Sequence, residues 1–160
     1  MNKTITMILA LLLGTAANAQ TNIDLGGISA DPKAPVEVSA DNLSVDQDSG
    51  TAVFSGNVVI GQGDLRLSAG SVRVVYSDST GDIAQLLATD GVTLVTDSAA
   101  AEAATADYNL TTGILTLSGS VLLTQGASAL SAEQMTIDLN SGRAQMSGRV
   151  RTVFQQDGNN

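Results

Sequence analysis

The sequence predicts an all-β fold, and three features carry that expectation. From Val36 onward apolar and polar residues alternate in runs of four to eight, the period of a half-buried strand. The runs are punctuated by Ser-Gly, Asp-Gly and Gln-Gly pairs, which favour tight turns. No stretch beyond the apolar N-terminus shows a helical stripe of useful length.

Taken in order, the strands repeat one plan. Ala40-Asp41-Asn42-Leu43-Ser44-Val45, Ala106-Asp107-Tyr108-Asn109-Leu110 and Ala132-Glu133-Gln134-Met135-Thr136-Ile137 each open with a small residue and an acid. A glycine-containing turn follows, then a second strand ending in Ser-Gly: Gly50 to Gly56, Gly113 to Gly119 and Gly142 to Gly148. A further strand succeeds the corner at Asn57 to Gly63 and again at Ser120 to Gly126. Leu67-Ser68-Ala69 answers Leu130-Ser131-Ala132, and Gly81 to Leu94 is a divergent copy of the unit. Ala99 to Ala106 lacks a bulky apolar face and reads as a small-residue strand, with a short helix as the alternative. Gly56, Gly91, Gly119 and Gly148 are spaced 35, 28 and 29 residues apart, a period of stacked repeats.

A glycine between strand segments permits a corner that a Cβ would resist, so the chain turns and keeps its apolar side inward. Two curled antiparallel sheets facing each other then make a sandwich or jelly roll built by repetition. Strand parity places Leu43, Val45, Ala52, Phe54, Val58, Ile60, Leu67, Val72, Val74, Leu86, Val92 and Leu94 inward. The later rungs add Leu110, Leu115, Leu117, Val121, Leu123, Met135, Ile137, Leu139, Met146 and Val150. Parity changes between Ala69 and Val72, with Gly70 as the candidate bulge. Ordinary core packing is the simplest role of any one of these residues.

The chain opens with Lys3, an apolar run through Leu13, and Ala17-Asn18-Ala19, the three parts of a cleavable export signal over 1–19. A flexible segment is expected at 20–35, the β domain at 36–154 and a polar tail at 155–160. The chain has neither Cys nor His, so disulfides and the base of a Ser-His-Asp triad are excluded and the usual zinc ligands are missing. A net charge of −9 argues against nucleic acid as a partner. Hydrophobic residues form 43% of the chain and aromatics 2%, which implies an aliphatic interior. Asp46-Gln47-Asp48-Ser49-Gly50 has the spacing that begins a calcium loop, but the closing acid is replaced by Gly56, and a hairpin turn explains it. Asp64, Asp82, Asp90, Asp97, Glu102 and Asp107 define no catalytic pair and read as surface. The chain is therefore expected to be no enzyme and to need no cofactor or metal. Arg66, Arg73, Arg143, Arg149 and Arg151 are candidate contacts for lipid phosphates, with solvated strand faces as the plainer role.

The succession Ala40-Asp41-x-Leu43, Phe54-Ser55-Gly56-Asn57-Val58-Val59-Ile60, Gln62-Gly63, Leu67-Ser68-Ala69 and Val72-Arg73-Val74-Val75-Tyr76 resembles the OstA-like repeat of the lipopolysaccharide transport family, from about Pro35 to about Phe154. That resemblance implies a twisted β-jelly roll, open along one side, in the periplasm. Its groove would shelter the lipid A acyl chains of lipopolysaccharide. The candidate groove residues are Phe54, Val58, Ile60, Leu67, Val72, Val74, Leu86, Val92, Leu94, Leu110, Leu115, Leu117, Val121, Leu123, Met135, Ile137 and Met146. The resemblance further implies homologous jelly-roll domains of inner- and outer-membrane complexes as partners, and head-to-tail self-association. The exposed edges for such pairing are expected near Val36-Glu37-Val38 and Val150 to Phe154. A structural β-solenoid or adhesin module without cargo is the alternative.

Overall fold

The computed structural model describes residues 23–24, 28, 30–31 and 33–153. The expected signal and the tail after Val153 lie outside them. The strands are β1 (Ile23–Asp24), β2 (Glu37–Ser39), β3 (Asn42–Asp46), β4 (Thr51–Gln62), β5 (Leu65–Tyr76), β6 (Ile83–Val95), β7 (Ala99–Ala103), β8 (Thr105–Asn109), β9 (Ile114–Gln125), β10 (Ser128–Asp138), β11 (Arg143–Ser147) and β12 (Arg151–Val153). The small-residue stretch from Ala99 is thus strand, divided at Ala104 between β7 and β8. Every pairing is antiparallel.

The long strands each serve two walls. The first half of β4 pairs with β3 and its second half with β2. Likewise β6 pairs with β8 through Gln85–Ala88 and with β7 through Val92–Val95. β10 pairs with β11 through Gln134–Asp138 and with β12 through Ala129–Ser131. One hydrogen-bonded sheet is thereby folded lengthwise into two facing walls, the twisted jelly roll expected. The first wall contains β3, β8 and β11, the second β2, β7 and β12, and the long strands run through both.

The fold line is a column of bulges. Register shifts fall between Ser55 and Val58, Ala69 and Ser71, and Ala132 and Gln134. On alternate strands two consecutive residues take positive φ: Gly56-Asn57, Asp90-Gly91, Gly119-Ser120 and Gly148-Arg149. Backbone bonds stitch the corners together, Asp41 N–H to Gly56 O at 2.9 Å, Ala104 N–H to Gly119 O at 3.0 Å and Glu133 N–H to Gly148 O at 2.9 Å. Val150, expected inward by parity from Met146, is 46% exposed. The equivalent corners at Gly56-Asn57 and Gly119-Ser120 carry inward parity across, from Ala52 to Val58 and from Leu117 to Val121, so Val150 is exposed because β12, paired with β10, is a terminal strand of the described sheet.

Opposite the corner, the first wall ends in turns of a shared design. Asp46 Oδ1 accepts from the N–H of Asp48 (2.9 Å) and Ser49 (3.3 Å), and Asp138 Oδ1 accepts from Asn140 (3.0 Å) and Ser141 (3.3 Å). The Ser141 hydroxyl also donates to Asp138 Oδ2 at 2.8 Å. These serine contacts hold both carboxyls below the ordinary range. Their stabilising effect is present above the ordinary carboxylate pKa and fades as pH falls through the lowered values. The Asp46–Gly50 segment is accordingly a hairpin turn.

Aliphatic side chains from both walls form one core, in which Leu117, Leu123, Met135 and Ile137 are fully buried. Ile28 and Ala30, in the 20–35 segment, belong to the same core. Upstream of them, Ile23 and Asp24 pair with Ala144 and Arg143 of β11.

Gly119 combines a φ of 87° with a Cβ position only 2.6 Å from the Ala104 Cβ. Gly119→Ala is expected to lose about 2–4 kcal/mol in urea denaturation, strain and clash together. Gly126, with φ 57° and nothing near its Cβ position, should lose only about 1 kcal/mol on the same change.

Candidate functional site

The candidate site is the interior between the walls. Alternation within each half-strand directs Val58 and Ile60 of β4, Leu67 of β5 and Val92 and Leu94 of β6 into it from the second wall, joined by Val121 and Leu123 of β9. Val72 and Val74 of β5, Leu86 of β6, Leu115 and Leu117 of β9, Met135 and Ile137 of β10 and Met146 of β11 enter from the first. All of these are buried, whereas Phe54 and Leu110 are half-buried.

Leu43 and Val45, also expected inward, are 56% and 61% exposed. They lie on β3, paired on one side with Phe54 and Ala52. No strand among the described residues covers their other side, so among those residues this end of the interior has no cap. At the other end of the described sheet Val153 is 63% exposed.

The interior is closely filled. A void of about 10 Å³ lies between Ile60, Gln62, Leu65 and Leu67 of the second wall and Leu86, Ala88, Ala106, Tyr108 and Leu115 of the first. That is about the room one water molecule needs.

Gln62 and Tyr108 are the residues that parity reasoning left out. Gln62 is the buried polar side chain among the described residues, at 3% exposure. Its Oε1 accepts from the Tyr108 hydroxyl at 2.8 Å, and its Nε2 donates to the Ala34 carbonyl at 3.2 Å. The bond spans the two walls, from the end of β4 beside the Gln62–Leu65 turn to the end of β8 beside the Asn109–Gly113 turn. It therefore sits on the side away from the corner column. Parity with Val58 and Ile60 marks Gln62, and parity with Leu110 marks Tyr108, but a polar residue at a strand end reads first as its terminus.

The electropositive candidates do not converge. All five arginines are exposed. Arg66 donates to the carbonyls of Gly63 (2.6 Å) and Leu65 (2.9 Å), and Arg149 lies 3.7 Å from Glu133 at the corner. Among the described residues no group of three or more His, Cys, Asp or Glu could hold a metal.

Against known proteins, residues 37–143 match the family described as LptA/(LptD N-terminal domain) LPS transport protein. An uncharacterized protein of Rhizobium meliloti is 29% identical over 154 residues, covering 89% of this chain and 83% of that protein. The lipopolysaccharide export system protein LptH of Pseudomonas aeruginosa is 33% identical over 75 residues, or 47% of this chain and 42% of LptH. The crystal structure of LptH, described as the LptA homologous periplasmic component of the lipopolysaccharide transport device of that organism, superposes with a TM-score of 0.70. It has 19% identity and covers 79% of this chain and 99% of the solved one. At that identity the structural likeness speaks for the fold.

Burial pushes the Tyr108 phenol above the ordinary tyrosine value. With a raised folded value, the contribution to stability is constant below the unfolded pKa of about 10 and is lost as pH rises through the folded one. In a Tyr76→Phe background, phenolate absorbance of the folded protein should appear only above pH ~10, and Tyr108→Phe should remove this residue's share of the alkaline loss of stability.

Proposed function

The chain belongs to the LptA/(LptD N-terminal domain) LPS transport protein family, and from that premise we propose that it is a periplasmic carrier that shelters lipopolysaccharide acyl chains between its walls. The observation that carries this reading is the aliphatic interior, continuous between two walls and, among the described residues, without a cap beside Leu43 and Val45. Hydrocarbon gains roughly 0.8 kcal/mol per buried CH₂ without directional contacts. Val, Leu, Ile and Met side chains suit several flexible chains better than one rigid ring.

Because the void is small, cargo enters by parting the walls along the side opposite the corner. The aliphatic faces that separate are then covered by the incoming chains. The candidate groove is formed by the interior residues named above, with Phe54 and Leu110 nearest to solvent.

The partners of this reading are lipopolysaccharide and the homologous jelly-roll domains of inner- and outer-membrane complexes. Among the described residues the edge strands β2 and β3 at one end and β12 at the other have one backbone edge without a strand partner, open to strand addition, including head-to-tail addition of a second copy. The chain supplies no phosphate-binding loop for nucleotide hydrolysis, so direction comes from a partner.

The filled interior favours a second reading, a packed structural module without cargo. A photo-crosslinking side chain at Phe54 and, separately, at Leu110, in cells that make lipopolysaccharide, separates the two. Ultraviolet-dependent lipopolysaccharide adducts are expected at both positions. Repeated absence of lipid adducts from these and from Leu117 supports the structural module and defeats the carrier.

A further inference from the structure

Gln62 is a polar side chain in an otherwise aliphatic interior, and it borders the void between the walls. Tyr108 borders the same void, and the 2.8 Å bond between them crosses from one wall to the other. That bond joins the walls on the side away from the corner, while Gln62 Nε2 also donates to Ala34 O, just ahead of β2 in its own wall, at 3.2 Å. An acyl chain entering beside these residues must separate them. A bare hydrocarbon leaves the buried Gln62 carbonyl, released by the Tyr108 hydroxyl, without a partner, a costly outcome in a low-dielectric site.

We propose that Gln62 is a specificity-determining residue that exchanges its bond to Tyr108 for the polar linkage at the root of an acyl chain, an amide above all. Position favours the root over the chain's far end. Gln62 precedes a rim turn, Tyr108 lies beside another, and the fully aliphatic part of the interior extends from them toward the corner. A chain seated with its methyl end at the corner brings its linkage to the mouth.

The chemistry is complementary. The Gln62 Nε2 has a second N–H to donate to an amide carbonyl, and Oε1, released by Tyr108, accepts from an amide N–H. The Tyr108 hydroxyl then turns to water at the mouth. An ester satisfies the donor alone, and an ether offers only a weak acceptor. The trough thereby grades chains by how they are attached.

This inference rests on the acyl-trough reading and is tested with two uncharged glycolipids, N-tetradecanoyl glucosamine and tetradecyl glucoside, below their micelle concentrations. Their binding to the full chain is measured by titration calorimetry. The amide-linked lipid should bind about five- to tenfold tighter than the ether, the worth of one or two net hydrogen bonds. Gln62→Met should bring that ratio to within about twofold. Tyr108→Phe frees Gln62 and should tighten the amide lipid further. Opposite effects of the two substitutions are what a merely structural bond does not produce. Equal binding of the two lipids by the unaltered protein, or equal weakening of both lipids by both variants, overturns the inference alone. Failure of both lipids to bind the unaltered protein overturns the acyl-trough reading as well.

Discussion

The corner column is the constraint on which the rest of the structure depends. A flat sheet of these strands would leave one aliphatic face in water, and a curl must change direction on every strand at the same height. Left-handed residue pairs at Gly56-Asn57, Asp90-Gly91, Gly119-Ser120 and Gly148-Arg149 do this. The intervening strands cross at Asp41, Gly70, Ala104 and Glu133. Because each corner adds a residue on one strand of a pair, inward parity carries through on β4, β6 and β9 and shifts on β5, from Ala69 to Val72, and on β10, from Ala132 to Met135. Both walls can then direct Val, Leu and Ile into one shared interior.

Much of this was legible in the sequence. The all-β plan, the repeats, the glycine corners and the bulge at Gly70 follow from alternation and from the conformational freedom of glycine, and β4 and β9 keep that alternation on both sides of their corners. The family, read from the order of the rungs, agrees with the match over residues 37–143. Val150 was given the correct face but not the correct exposure, because β12 is a terminal strand of the described sheet. Leu43 and Val45 were assigned the correct strand but not the correct exposure, since parity says nothing about where a sheet ends. The core roles of Ile28 and Ala30 were hidden by Gly26-Gly27, a pair that reads as linker, and by the lack of an alternating run around them.

The interior joins two tendencies that usually conflict. Close filling gives the protein a stable core, while binding several acyl chains requires room. In the carrier reading both are met because the walls are continuous at the corner and joined at the mouth by far weaker ties. Separation there leaves the strand ladder intact. The aliphatic side chains then exchange neighbours of their own kind, and the polar atoms of Gln62 and Tyr108 set the main chemical distinction among ligands.

Each rung, apart from the contact of β1 with β11, bonds to rungs adjacent in sequence. Length is consequently an independent variable of this architecture. Duplicating one strand-corner-strand unit would extend the molecule by about 4.8 Å for each strand added to a wall, leaving its cross-section unchanged. A lineage can therefore adjust how far one subunit reaches by copying a segment of gene, with no redesign of the lining and no new long-range pairing for the chain to find.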